Sequence, residues 1–208
     1  MEYFFYKNGE SYCEGVPLDR IANEFGTPVY CYSKAAVINN CNRMIQAFAG
    51  YPTLICYAVK ANGNHSLLTE IFSRGLGADI VSIGELERAL AAGAKPTATV
   101  FSGVGKKRNE ILQALDLRIL SFNVESIEEM VEIDRIARER NVTALISLRI
   151  NPNINVRTHP HIATGLYSTK FGIPERYLKD AIKTVRQLPN VQLNGLSCHI
   201  GSQMVSLS

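Results

Sequence analysis

The 208-residue sequence predicts an α/β fold whose parallel sheet is of the (β/α)8 barrel type, truncated after about six strands. Short runs of apolar and β-branched residues recur along the chain, and a segment with helical spacing of its apolar residues follows most of them. The repeat is roughly 20–25 residues long, which is typical of strand–helix units in a parallel sheet. The predicted strands are 53–60, 77–83, 98–102, 118–124, 143–150 and 191–200.

Two parallel architectures compete for this pattern. A doubly wound sheet would need a glycine-rich phosphate turn after its first strand, and Ala61-Asn62-Gly63-Asn64 is not one. A TIM-type barrel fits the regular repeat better, although a complete one needs eight strands and about 250 residues. We therefore expect residues 33–208 to form the first part of an incomplete barrel.

Helices are predicted between these strands, with the fifth repeat stretched by a loop rich in Pro, Asn and Thr. Ser126 and Glu129 form the sequence of a capping box at the start of one helix. Ser33 is a candidate N-cap for a helix that precedes the first barrel strand. The predicted helices inside the repeat are 67–72 with its end at Gly75, 84–92, 107–115, 126–140 and 174–187.

Residues 1–32 show a different pattern. Aromatic residues 3–6, a turn at Asn8-Gly9 and residues 12–13 predict a short hairpin. A short helix through residues 18–25 and a further strand at 29–32 should follow.

Composition narrows the class of protein. The net charge of +3 is small, and the only basic run, 106–108, is interpreted as the solvated start of a helix. Neither a nucleic-acid nor a membrane surface is indicated, and no segment has the length of a membrane span or the layout of a signal peptide. The five cysteines are scattered without a C-x-x-C pair, which favours buried, reduced thiols, such as Cys56 and Cys198, in a cytoplasmic protein.

Lys60 is the residue on which the functional interpretation depends. It ends an apolar run and is followed at once by Asn and Gly, as expected where a buried parallel strand emerges into a loop. A lysine with its stem in the core wall would be desolvated, and its neutral amine would be a better nucleophile toward a carbonyl. The alternative is a lysine that simply reaches the surface beyond a strand.

Polar residues follow all six predicted strands, where a barrel collects its chemistry. Arg149 lies inside a predicted strand, so it needs an anionic partner. Glu85 could serve only as part of a capping box with Ser82, and His199 could be a hydrogen-bonded core histidine. The residues at the strand ends are Lys60; Asp79, Ser82 and Glu85; Ser102 and Gly103; Asn123 and Glu125; Arg149 and Asn151; and His199 and Ser202.

Two other kinds of site are weighed on local motifs. His159-Pro-His161 resembles the H-x-H of barrel metallohydrolases, but it follows the fifth strand and lacks further ligands at suitable positions. Gly103-Val-Gly105-Lys106 is similar to a phosphate loop without the Walker A spacing. We expect no metal site.

Several longer motifs carry a resemblance to a known family. They are Tyr57-Ala-Val-Lys60-Ala-Asn62, Gly77-Ala-Asp79-Ile-Val-Ser82-Ile-Gly84-Glu85-Leu86, Phe101-Ser-Gly103-Val-Gly105-Lys106, Asn123-Val-Glu125-Ser126, Arg149-Ile-Asn151-Pro152, Thr158-His159-Pro-His161-Ile-Ala-Thr164-Gly165, Lys170-Phe171-Gly172 and His199-Ile-Gly201-Ser202-Gln203. From about Gly26 to the end, the chain resembles the fold-type III pyridoxal-phosphate enzymes. Within them it is most similar to the diaminopimelate decarboxylases, whose branch has the T-H-P block.

The resemblance implies a cofactor and a role for each matching residue. Lys60 would hold pyridoxal 5'-phosphate as a Schiff base, His199 would stack on the cofactor ring, and Ser202 would donate to its phosphate. Asp79 and Arg149 would line the cofactor pocket near that bond. The implied reaction is decarboxylation of meso-2,6-diaminopimelate to L-lysine and CO₂ by a homodimer, with an amino acid as its small-molecule substrate.

The resemblance also implies what these residues lack. The phosphate loop, the acidic partner of the pyridine nitrogen and the main substrate-binding residues would lie beyond the sixth strand. Residues 1–32 would belong to a second, β-rich domain, and these 208 residues alone should lack activity. The alternatives are another basic amino-acid or carboxynorspermidine decarboxylase, and a non-catalytic homologue that still binds the cofactor.

Overall fold

A seven-stranded sheet organises the chain in the computed structural model, which describes residues 2–154 and 171–202. The strands are β4 (Cys56–Ala58), β5 (Gly77–Ile80), β6 (Thr99–Phe101), β7 (Ser121–Val124), β8 (Ala144–Asn151), β9 (Ile173–Pro174) and β10 (Val191–Cys198). All six predicted barrel strands are therefore confirmed. The short β9, which the sequence did not predict, is an addition that pairs with β8.

The order of the strands decides between the two architectures. They run β4-β5-β6-β7-β8-β10, every pair along this path is parallel, and each strand lies beside the next one in sequence. In a doubly wound sheet, the order in which successive strands are added would reverse at a switch point. A sequential parallel order is that of a (β/α)8 barrel, so the predicted fold class is confirmed.

Seven helices occur in the described part of the chain, and those of the repeat cover the outer face of the sheet. They are α1 (Leu18–Phe25), α2 (Lys34–Ala47), α3 (His65–Phe72), α4 (Ile83–Ala91), α5 (Arg108–Asp116), α6 (Ile127–Glu139) and α7 (Leu178–Val185). Fully buried apolar side chains of the strands, such as Ile80, Phe101 and Ile146, form one core with those of the helices. The predicted helix at 174–187 begins later, because β9 and a 3-10 turn at Glu175–Tyr177 precede it.

Serine caps begin three of these helices as the sequence predicts. Ser33 Oγ accepts from Ala36 N at 2.9 Å, and Ser126 Oγ accepts from Glu129 N at 3.1 Å. Ser82 does the same for Glu85 N at 3.3 Å, while the Glu85 carboxylate accepts from Val81 N. These contacts satisfy N–H groups that a helix start leaves unpaired.

The N-terminal residues form a separate antiparallel sheet of β1 (Phe4–Lys7), β2 (Glu10–Cys13) and β3 (Val16–Pro17). The predicted hairpin and short helix are confirmed. The strand predicted at 29–32 is wrong, because these residues pair with no neighbouring strand in the described part of the chain. Tyr30 is 88% exposed there, so its apolar character does not reflect burial.

Three further observations concern the cysteines and the surface. All five cysteines are free thiols, but Cys198 is exposed, so its predicted burial is wrong. Cys56 is only partly buried, although desolvation raises the pKa of its thiol to about 11.

Among the described residues, no helix has the length and apolar character needed to cross a membrane.

Gly77, at the start of β5, is a position where any side chain should be damaging. A Cβ there would overlap the carbonyl oxygen of Ala98, in the 3-10 turn before β6, and would lie 2.8 Å from Sγ of Cys56 in β4. We expect Gly77→Ala to lower the free energy of unfolding by about 3 kcal/mol, through overpacking of a filled core.

Gly84→Ala is the matched control, because a Cβ at Gly84 in α4 would meet nothing within 4 Å. That change should raise the free energy of unfolding by about 0.5–1 kcal/mol, since alanine favours the helix. Urea unfolding of both variants measures the difference. Equal stability of the two would show that the strand has room for a methyl group.

Candidate active site

The predicted site residues lie at the carboxyl-terminal edge of the parallel sheet. Lys60 lies in a 3-10 turn, Val59–Ala61, that follows β4 directly, and Asp79 lies in β5. Arg149 lies near the end of β8, and His199 follows β10 by one residue. Ser202 is exposed in a bend just beyond. Strands that run parallel and in register bring these ends to one side of the sheet.

Lys60 is more exposed than the sequence predicted. Its neighbour Val59 is 1% exposed and anchors the turn in the core, whereas Lys60 itself is exposed. The prediction that its stem lies in the core wall is wrong in this structure, because the strand ends two residues earlier than the sequence suggested. The amine is therefore accessible to a reagent that approaches the open edge of the sheet.

The pKa of the His199 imidazole depends on the charged groups around it. Partial desolvation, followed by the positive charges of Arg149 and Lys60, lowers the pKa of its imidazole from the usual 6.5, and Asp79 acts in the opposite direction. Coulomb interactions weaken with distance and are screened by solvent. Because Arg149, Lys60 and Asp79 each affect His199, all four groups lie close together and share one local electrostatic field. His199 is exposed, and the interpretation as a core histidine is wrong.

The lowered pKa gives a pH prediction. In the full-length protein without cofactor, the His199 ring should titrate below 6.5, and its midpoint should rise with salt as the two cations are screened. Because the unfolded chain holds the proton more tightly, this residue's contribution to stability is present above the unfolded pKa and is lost as the pH falls. Proton NMR of the ring measures the midpoint, and a value at or above 6.5 would contradict the arrangement.

A hydrogen-bonded row of side chains joins three neighbouring strand ends. Asn123 Nδ2 donates to Ser102 Oγ at 2.9 Å, and Ser102 Oγ donates to Asp79 Oδ1 at 2.5 Å. All three side chains are partly buried. The row fixes the Asp79 carboxylate at the end of β5 through its Oδ1 atom.

Arg149 has the anionic partner that a strand arginine requires. Its Nη1 lies 2.6 Å from Glu125 Oε1, and the two side chains are only 13% and 3% exposed. The guanidinium also lies over the Phe171 ring, with Cζ 5.0 Å from the ring centroid. The sequence predicted the need for a partner but did not assign it to Glu125.

Lys106 is a second buried cation at this edge, and it corrects one prediction. Its side chain is 0% exposed, so the run 106–108 is not the solvated start of a helix at this position. Lys106 Nζ donates to Gly103 O, Asn123 O and Glu129 Oε1 at 2.6–2.8 Å. Because all three donors are used internally, Lys106 is not placed to bind a phosphate.

Two further features belong to the inner face of the sheet. Ser121 Oγ and Ser147 Oγ each lie within hydrogen-bond distance of Asn194 Oδ1, at 3.2 and 3.3 Å, and form a polar layer that the sequence did not predict. Ser197, opposite Arg149 in the β8–β10 register, has a buried hydroxyl with no hydrogen-bond partner among the described residues. In the sequence, the signal for this polar layer is the presence of small polar residues inside otherwise apolar strands.

The two histidines of the metal alternative, His159 and His161, lie outside the described residues. In residues 2–154 and 171–202, no group of three or more His, Cys, Asp or Glu side chains is arranged to hold a metal ion.

The geometry defines a parallel α/β sheet of the barrel type with an accessible amine at the carboxyl-terminal edge. An imidazole, a fixed carboxylate and a fixed guanidinium share its local field. This donor set fits an aldehyde cofactor that carries a ring and an anionic group, because it offers an amine for the aldehyde and polar donors around it.

Comparison with known proteins agrees with this class of site. Residues 34–208 match the family described as "Pyridoxal-dependent decarboxylase, pyridoxal binding domain". Since the match covers most of the chain, the protein belongs to the pyridoxal-dependent decarboxylases, and the resemblance found in the sequence is confirmed.

Within this family, the chain is similar to several diaminopimelate decarboxylases. The diaminopimelate decarboxylase of Vibrio cholerae is 47% identical over 209 residues, which is 100% of this chain and 50% of that protein. The crystal structure of the Helicobacter pylori diaminopimelate decarboxylase complexed with L-lysine superimposes with a TM-score of 0.87 at 43% identity, over 92% of this chain and 48% of that chain. The M. jannaschii enzyme, also with L-lysine, gives a TM-score of 0.89 at 37% identity, over 97% and 48%. The chain therefore spans about half the length of the relatives it matches.

Proposed function

We propose that the full-length protein decarboxylates meso-2,6-diaminopimelate to L-lysine and CO₂, using pyridoxal 5'-phosphate, and that this chain contributes the lysine that holds the cofactor. The observation that carries the proposal is the shared field of Lys60, Asp79, Arg149 and His199 at one edge of the sheet. Similarity to several diaminopimelate decarboxylases at 45–47% identity supports the choice of substrate.

Each residue has a distinct role in this proposal. Lys60 Nζ, which is accessible, would hold the cofactor through its aldehyde group. His199, one residue beyond β10, would pack on the cofactor ring. Ser202, in the bend after Gly201, would donate to the phosphate group. When bound, pyridoxal phosphate supplies an electron sink for the negative charge left behind as CO₂ departs.

Asp79 and Arg149 set the charge around the amine. Asp79 is held by Ser102, so its carboxylate stays near Lys60 and can accept a proton or stabilise a cation there. Arg149 is held by Glu125 and provides positive charge near anionic groups of cofactor or substrate. Lys60 Nζ, when it is released, could return a proton to the substrate carbon.

The organisation of the chain is part of the proposal. We infer that residues 1–32 contribute to a second, β-rich domain and that residues 33–208 belong to the cofactor-binding barrel. The separate antiparallel sheet of β1–β3 supports this division, as does a family match that begins at residue 34. The sequence resemblance supports a homodimer, and five free thiols support a cytoplasmic location.

Retention of the predicted site favours an enzyme over a non-catalytic homologue. A homologue that had lost turnover would have no need to keep Lys60, Asp79, His199 and Ser202 together at the strand ends. The full-length protein should therefore show a visible absorbance band when loaded with pyridoxal phosphate, and it should also turn over substrate.

The experiment compares substrates on the purified full-length protein. CO₂ release is measured with meso-diaminopimelate, ornithine and arginine at equal concentrations. We expect release from meso-diaminopimelate at a kcat/KM at least about 100-fold above the other two, the discrimination that unpaired polar groups in a site impose. Preference for ornithine or arginine would replace the proposed substrate, and cofactor binding without CO₂ release would favour the non-catalytic alternative.

A further inference from the structure

Glu125 lies at the centre of the contacts that hold Arg149. The residue follows β7 directly, and its carboxylate is 3% exposed. Oε1 accepts from Arg149 Nη1 at 2.6 Å and from Gly103 N at 3.2 Å, while Oε2 accepts from Gly172 N at 2.9 Å. Three donors from three separate segments therefore converge on one buried carboxylate.

The energetics of this contact are those of a buried ion pair. A charge removed from water is stabilised only by close partners, and removal of one partner leaves the other uncompensated. Among the described residues, Arg149 would retain its contact with the ring of Phe171, whose centroid lies 5.0 Å from Cζ. A cation–π contact of this kind contributes about 0.5–1 kcal/mol at a partly exposed site, which is less than a buried charge pair.

Arg149 in turn acts on His199. The charged groups that face His199 are Lys60 in the turn after β4, Asp79 on β5 and Arg149 on β8. Desolvation is the largest cause of the lowered His199 pKa, and Arg149 has the largest influence among these three charged groups. The β8–β10 register, which sets Ser197 opposite Arg149, brings the guanidinium to the strand end that His199 follows.

We propose that Glu125 is a positioning residue, which holds the Arg149 guanidinium beside His199 and so fixes the charge of the cofactor pocket. This inference rests on the proposed function for its consequence in catalysis, but its structural part does not. The competing explanation is that Glu125 serves only to tie the backbone at Gly103 and Gly172, with Arg149 held independently.

The two explanations predict opposite signs for one measurement, the titration of His199 in the full-length protein without cofactor. Arg149→Met removes a positive neighbour, so the His199 pKa should rise. If Glu125 holds Arg149, Glu125→Gln releases the guanidinium and the His199 pKa should rise as well. If Arg149 stays in place without Glu125, its charge is no longer neutralised, the pKa should fall, and the proposal is overturned.

Further variants separate positioning from general damage. Glu125→Gln with Arg149→Met should shift the His199 midpoint no further than Arg149→Met alone, because both act through one guanidinium. Glu125→Asp keeps the charge but shortens the reach, so it should shift the midpoint in the same direction by less. An unchanged midpoint in Glu125→Asp, the variant expected to fold most readily, would also overturn the proposal. Glu132→Gln is the matched control, because Glu132 is a half-exposed residue of α6 that pairs with Arg135, and its change should leave both titration and activity unchanged.

Activity of the loaded enzyme provides the second readout. We expect Glu125→Gln to lower kcat/KM by roughly 10- to 100-fold, as a small misplacement of a site group does, with no further loss in the double variant. Normal titration shifts in a protein that releases no CO₂ would count against the proposed function only. Decarboxylation that is insensitive to Glu125→Gln, with a His199 midpoint that falls, would count against this inference only.

Discussion

Lys60→Ala in the full-length protein is expected to lower kcat for CO₂ release by about 10⁴-fold or more, the scale seen when an enzyme loses its covalent catalytic group. No other described side chain at the sheet edge can replace it, because Lys106 is wholly buried and its three donors are used internally. The visible absorbance of the bound cofactor should be lost together with activity.

Lys183→Ala is the matched control for this change. Lys183 lies on α7 with its side chain 74% exposed, far in sequence from the sheet edge that carries Lys60. It should leave both absorbance and turnover unchanged. A Lys60→Ala protein that keeps its visible absorbance and turns over substrate would contradict the assignment of the cofactor lysine.

Lys106→Met is the prediction with the largest expected effect on stability. The change removes the partner of Glu129, whose carboxylate is only 15% exposed, and it leaves two carbonyl oxygens without their donor. Removal of one member of a buried ion pair typically lowers the free energy of unfolding by about 3–5 kcal/mol. Urea unfolding of the folded variant and the parent protein measures this loss.

The pH dependence of that loss follows from Glu129. Burial already raises the pKa of its carboxyl group, and Lys106 is the main influence that lowers it. Without Lys106 the carboxyl takes up a proton more readily in the folded state, so the destabilisation should shrink as the pH falls. Lys106→Met combined with Glu129→Gln should recover part of the lost stability, because no buried charge remains. Destabilisation that is independent of pH would show that lost packing, and not the charge, is responsible.

The sequence predicts the barrel strands and helices because their signals are local. Apolar runs at a regular spacing identify six strands, and the serine caps of α4 and α6 identify two helix starts. The strand predicted at 29–32 fails for the opposite reason: a strand requires a partner, and its own residues do not encode one. The prediction that Lys106 is solvated is wrong for a similar reason, because the burial of Lys106 depends on its ion pair with Glu129 in the next repeat.

The candidate site is predictable in its residue types and less so in its pairings. The position of Lys60 after an apolar run and the need of Arg149 for an anion both follow from local composition. That the anion is Glu125 depends on how β7 and β8 lie side by side, which only the folded structure shows. The polar layer of Ser121, Ser147 and Asn194 could not be predicted, because each residue alone is compatible with an exposed strand face.

The central claim is that Lys60 carries the cofactor, and borohydride reduction tests it most directly. Borohydride converts the linkage between a lysine and pyridoxal phosphate into a stable bond, and peptide mass spectrometry of the reduced full-length protein then locates the label. The account predicts one labelled peptide, with the pyridoxyl group on Lys60. A label on any other lysine, or no label in a protein that releases CO₂, would contradict it.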